Sequence, residues 1–112
     1  MIMAVPTCML KGKEIPDVKE DFRGARRIEQ YRLGRRALYL PEGLRWNYIP
    51  LSEIQKADES FRVISAGHCV PVRERRPEID LITGNGSVHL QLEKQENMKL
   101  ILDAIANARA EN

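Results

Sequence analysis

The sequence predicts an α+β domain in which short, mainly antiparallel strands are closed by one C-terminal helix. Three observations carry this. Strand-like runs recur with turn signals about every 8–12 residues; Ile79 to Leu92 reads as a hairpin of two alternating runs; and after Asn97 the apolar period changes from two to the helical value.

Residues 1–27 hold Pro6, Pro16 and Gly12 among scattered charges, with no sustained period, and read as an irregular N-terminal arm whose Ile2, Val5, Met9, Leu10, Ile15 and Val18 could fold back on the domain. Residues 28–112 read as a single domain. Ile28 to Leu33 is strand-like, Gly34-Arg35-Arg36 a reversal, and Ala37 to Leu40 the next strand. Pro41-Glu42-Gly43 combines a residue that presets φ with one that relieves it, so it predicts a turn. Leu44 to Ile49 follows, with Trp46 and Tyr48 on one side, and Pro50 interrupts the strand or places it at an edge. Gln55 to Ser60 is polar and weakly patterned, Phe61 to Ser65 strand-like, Ala66-Gly67-His68 a turn, Cys69 to Val72 extended, and Arg73 to Pro77 a charged loop or edge. The total is six or seven strands.

The C-terminal third carries the clearest pattern. In Val88 to Leu92 the residues Val88, Leu90 and Leu92 share one face, and His89 and Gln91 the other. Asn85-Gly86 tolerates the positive φ angles of a tight turn. From Asn97 to Ala110, Met98, Ile101, Leu102 and Ile105 form the apolar stripe of a helix.

With 112 residues, 43% of them hydrophobic and 30% charged, the chain suits one modest core without a large catalytic cleft. No apolar run approaches the ~20 residues of a membrane span. The N-terminus lacks the basic and apolar regions of a secretory signal, and Cys8 and Cys69 stand far apart, so the expectation is a cytoplasmic protein without a disulfide framework. The net charge of +2 implies neither nucleic acid nor anionic lipid by itself.

The order of elements resembles the pleckstrin-homology (PH)-like superfold, on the pattern Ala37-Leu38-Tyr39-Leu40, Tyr48-Ile49-Pro50-Leu51-Ser52-Glu53-Ile54, the Ile79 to Leu92 hairpin and the helix after Glu96. It is similar to small bacterial PH-like proteins of unknown function. The resemblance spans about Ile28 to Ala110 and implies a barrel of two near-orthogonal sheets capped by the C-terminal helix. Phosphoinositide-binding members carry a Lys-x(n)-Arg/Lys-x-Arg arrangement around the first hairpin. Here that hairpin offers Arg32 and then Arg35-Arg36, with no Arg-x-Arg, so lipid binding does not follow from the resemblance.

Arginine supplies the sharpest local signal. Arg23, Arg26, Arg27, Arg32, Arg35, Arg36 and Arg45 stand against only Glu29 and Glu42, a formal charge of about +5 in one window. Arg32, Arg35, Arg36 and Arg45 are the candidate binding residues, for an acidic protein segment first, anionic lipid second and nucleic acid third. The plainer alternative is a solvated face paired with Asp58, Glu59, Glu74 and Glu78. His68-Cys69 suggests a nucleophile or a metal ligand with His89 or Cys8, but neighbours on a strand point to opposite faces and no ligand spacing is present. Trp46, Tyr48 and Tyr39 suggest a stacking platform, against which stands a core that must draw on only six aromatics. No catalytic constellation or cofactor motif is present, so the expectation is a non-enzymatic binding module without cofactor or metal, with a small metal- or thiol-dependent enzyme as the competing class. Unpaired edges at Val70-Pro71-Val72 and Phe61 to Ser65 suggest a ladder completed by a second copy, giving a homodimer, or by an extended peptide.

Overall fold

The computed structural model describes residues 5–66 and 72–110. Its architecture is α+β, with two sheets, mostly antiparallel, and a C-terminal helix. In chain order the elements are β1 (Thr7–Cys8), α1 (Val18–Arg23), β2 (Arg26–Ile28), β3 (Tyr31–Leu33), β4 (Ala37–Glu42), β5 (Arg45–Pro50), a 3-10 turn (Leu51–Glu53), β6 (Lys56–Ala66), β7 (Val72–Thr83), β8 (Gly86–Gln91) and α2 (Gln95–Ala110). The first sheet has the order β1-β5-β4-β3-β2 and the second β6-β7-β8. Only the short β1–β5 pairing is parallel. The two ladders remain separate sheets, and no closed barrel forms among the described residues.

The first sheet is covered on both faces, which explains why Ala37-Leu38-Tyr39-Leu40 is a continuous apolar run rather than an alternating one. Leu38 and Ile49 face the main core, where they meet Ile79, Leu81 and Leu90 of the second sheet and Met98, Ile101 and Ile105 of α2. Ala37, Tyr39 and Tyr48 face the other way, onto Phe22 of α1, with Ile15, Val18 and Trp46 at the margin. The segment expected to be an irregular arm therefore contains a strand and a helix, and it forms a layer over the sheet. Its lack of a period reflects a six-residue helix, too short to display one and too short to persist without tertiary contacts.

Several expectations need correction. Ile28 to Leu33 is not one strand: the chain reverses at Glu29, whose φ is 55°, and Arg26–Ile28 pairs back onto Tyr31–Leu33. Of the polar segment Gln55 to Ser60, all but Gln55 belongs to the 11-residue β6. Arg73 to Pro77 is neither loop nor edge, because it lies within β7, the central strand of its sheet. Pro77 is tolerated there because β8 ends at Gln91, so the side of Pro77 that lacks a donor lies beyond the last β7–β8 pair; its carbonyl still accepts from Leu92 N at 3.0 Å. In the β7–β8 turn only Gly86, not Asn85, has positive φ, at 133°, and Thr83 Oγ1 accepts from Asn85 N at 3.3 Å. The turn at His68 and the extended segment from Cys69 to Pro71 lie outside the described residues.

The start of α2 is fixed from a distance. The Glu29 carboxylate accepts hydrogen bonds from Glu93 N (2.8 Å), Lys94 N (3.2 Å) and Asn97 Nδ2 (2.9 Å). It thereby ties the β2–β3 turn to the entrance of the helix, where backbone donors lack intrahelical partners. Tyr31 Oη adds a donor to Gln91 O at 3.3 Å and accepts from Gln91 N at 3.1 Å.

Ile101 is fully buried between α2 and the second sheet. Ile101→Ala is expected to cost about 2–5 kcal/mol in chemical denaturation; an unchanged midpoint would show that α2 does not pack through this face.

Candidate functional site

The arginine window folds around one carboxylate. Asp21, on α1, accepts Arg35 N at 2.9 Å and Arg36 N at 3.0 Å through Oδ1, and Tyr39 Oη donates to its Oδ2 at 2.7 Å. The carboxylate lies directly on Gly34, where an added Cβ would come within 2.7 Å of Asp21 Cγ and closer still to Oδ2. Glycine is thus demanded at residue 34 by close approach, since its φ is not in the left-handed region. Burial first, then the hydrogen bond to Asp21, pushes the Tyr39 hydroxyl far above the usual tyrosine range, so it stays a donor.

Around this turn lies a groove of about 460 Å³ lined by Asp17, Glu20, Asp21, Arg35 and Arg36. Arg36 Nη1 lies 3.3 Å from Asp17 Oδ1. On the adjacent strand the Arg32 guanidinium lies 4.9 Å from the Phe22 ring centroid and 5.0 Å from that of Trp46, an arrangement in which the ring faces attract the cation. Phe22 also meets Tyr39 edge to face at 4.9 Å. The aromatics expected as a platform are therefore largely a small core: Tyr39 and Tyr48 are buried, and half-buried Trp46 is stacked against Arg32.

The structure brings Arg32, Arg35 and Arg36 to the α1 end of the first sheet but leaves Arg45 apart. Arg45 pairs with Glu42 at the far end of the β4–β5 hairpin, roughly 20 Å along the strand from Arg36 at ~3.4 Å per residue. The acids proposed as partners lie elsewhere: Asp58 binds Lys56 at 3.3 Å, and Glu78 serves Arg62 and His89. Among the described residues, Arg23, Arg26, Arg32, Arg35 and Arg45 form no ion pair. Asp21 could be recognised only through the tertiary fold, since nothing in its sequence surroundings marks a turn 14 residues ahead.

His89 stands on the outer face of the second sheet. Its Nδ1 lies 2.7 Å from Asp80 Oδ1 and its Nε2 3.5 Å from Glu78 Oε2. Cys8 is half-buried, with Sγ 3.1 Å from Leu10 O, and His68 and Cys69 lie outside the described residues. Among the described residues no group of three or more His, Cys, Asp or Glu side chains is arranged to hold a metal, and no helix is long and apolar enough to cross a membrane. Compared with protein-family models, curated proteins and solved structures, the chain matches none of them.

Two predictions follow from this geometry. Asp21→Ala is expected to cost about 1–3 kcal/mol, chiefly by removing the short hydrogen bond of the buried Tyr39 hydroxyl, and Gly34→Ala to cost as much by displacing the same carboxylate. In the Asp21→Ala background Gly34→Ala should cost little, so additive losses in a double-mutant cycle would refute the coupling. The hydrogen bond that His89 Nδ1 donates to the Asp80 carboxylate raises the His89 pKa above its ordinary 6.5. Its contribution to stability is therefore fully present below pH 6.5 and is lost as pH rises through the folded value. An NMR titration should place the His89 midpoint above 6.5 and Asp80→Asn should lower it; a midpoint at or below 6.5 in the parent protein contradicts the pairing.

Proposed function

We propose that the chain is a non-enzymatic interaction module of PH-like architecture that binds an acidic protein segment through the arginines beside α1. Support for the architectural part comes from the order of elements: an antiparallel meander of β2, β3, β4 and β5, a second of β6, β7 and β8, and a closing C-terminal helix. The observation that carries the functional part is that Arg32 and Arg35 form no ion pair among the described residues, two of the three acids of the adjacent groove being engaged elsewhere and Glu20 remaining open. Asp21 is occupied by two backbone donors and Tyr39, and Asp17 by Arg36. Arg32 is held by its two rings, so its charge need not be ordered anew when a carboxylate arrives.

A protein segment suits the surface better than a lipid headgroup. The groove carries three carboxylates beside its two arginines, which repel a dense anionic surface but leave room for separate carboxylates to reach Arg32 and Arg35. Anionic lipid is the second reading, favoured by the same unpaired guanidinium groups.

Trp46 is the only tryptophan and touches Arg32, so its emission reports on this face directly. Titration with a polyglutamate peptide should change that emission, weaken as salt is raised, and weaken in Arg35→Ala but not in Arg45→Ala. A response equal in all three proteins and insensitive to salt would reduce the arginines to a solvated surface. A stronger response to vesicles containing anionic lipid than to the peptide would select the lipid reading.

A further inference from the structure

The second sheet ends in a long edge that no other described strand covers. β6 runs for 11 residues beside β7 only, and Asp58, Glu59, Ser60, Phe61 and Val63 are all exposed. Phe61 and Val63 are 54% and 58% exposed, on a strand whose Ala57 packs against the main core.

Which backbone groups are free follows from the register. Leu92 N donates to Pro77 O, so Pro77, Ile79 and Leu81 direct their backbone groups toward β8, and Glu78, Asp80 and Ile82 direct theirs toward β6. Their β6 partners are Ser60, Asp58 and Lys56. The backbone groups of Ala57, Glu59, Phe61 and Val63 therefore point outward, and no proline interrupts them. Natural sheets usually blunt such an edge by shortening it, bulging it or placing proline on it.

We propose that a second copy of this chain covers this edge, with β6 pairing antiparallel to its symmetry mate about a twofold axis through Ser60. The sequence of the edge is self-complementary in that register. Asp58 falls opposite Arg62 of the second copy, and Arg62 opposite its Asp58, giving two opposite-charge cross-strand pairs on the outer face. Val63 falls opposite Ala57 and Phe61 opposite Glu59, so no like charges meet. Shifting the centre to Phe61 or to Glu59 removes both charge pairs, and the latter sets Arg62 against Lys56. Among the described residues the Asp58 carboxylate pairs with Lys56 at 3.3 Å, and Arg62 is oriented by Gln91 Oε1 at 3.0 Å and by Glu78 Oε1 at 3.7 Å. The result is one continuous six-stranded sheet with an isologous interface.

The test is sedimentation of the full chain at high micromolar concentration, with two variants. Glu59→Pro removes an outward N–H without touching the β6–β7 ladder, so it should retain the circular dichroism of the parent and sediment as a monomer. Ser60→Cys, in a Cys8→Ser/Cys69→Ser background, places two thiols across the axis, where facing Cα atoms lie about 4.5 Å apart, within disulfide reach. It should cross-link under mild oxidation, whereas Asp58→Cys in the same background should not. A parent protein that is only monomeric, a dimer that persists in folded Glu59→Pro, or a dimer in which residue 60 does not cross-link would each overturn the proposal.

Discussion

Backbone donors at chain reversals must be satisfied, and in this protein two carboxylates from remote parts of the chain do so. Asp21 closes the β3–β4 turn and Glu29 closes the entrance to α2. Each joins layers that have little else in common. Asp21 attaches a helix of six residues to the outside of the first sheet, and Glu29 attaches the β2–β3 turn to the second sheet and its helix. The backbone donors involved are exposed, so what these two side chains add is the attachment of one layer to another, together with the acceptor of the buried Tyr39 hydroxyl.

The same constraint shapes the candidate site. Asp21 accepts from Arg35 N, Arg36 N and Tyr39 Oη, and among the described residues it forms no ion pair with the guanidinium groups beside it. The Tyr39 hydroxyl, kept protonated by burial and by this carboxylate, completes the arrangement. Arg32 is meanwhile held by Phe22 and Trp46 rather than by an acid. The arginine excess seen in the sequence therefore persists as positive charge at the surface, even though Arg45 belongs to a different end of the sheet.

The edge strands β2 and β6 differ in kind. β2 is three residues long and carries Arg26 and Arg27, a short charged edge of the sort that resists pairing. β6 is long and carries both signs of charge together with two exposed apolar residues. Its charges alternate in a way that suits its own reverse, which separates it from an edge protected by charge of one sign.

Strong local periods were legible from the residues alone. The alternation of Val88, Leu90 and Leu92, and the helical stripe of Met98, Ile101 and Ile105, each report a single face against a single core, so they read correctly without a partner. The concentration of arginine was equally visible, and so was the burial expected of Tyr39 and Tyr48. The helix at Val18–Arg23, the reversal at Glu29, the strand beginning at Lys56 and the separation of Arg45 from the other arginines were decided by the folded structure. In the first three cases the determining contact joins residues far apart in the chain: Asp21 to Arg35, Glu29 to Lys94, Asp58 to Asp80 across the β6–β7 ladder. A sequence displays the period of a face, but not which distant backbone its carboxylates will find.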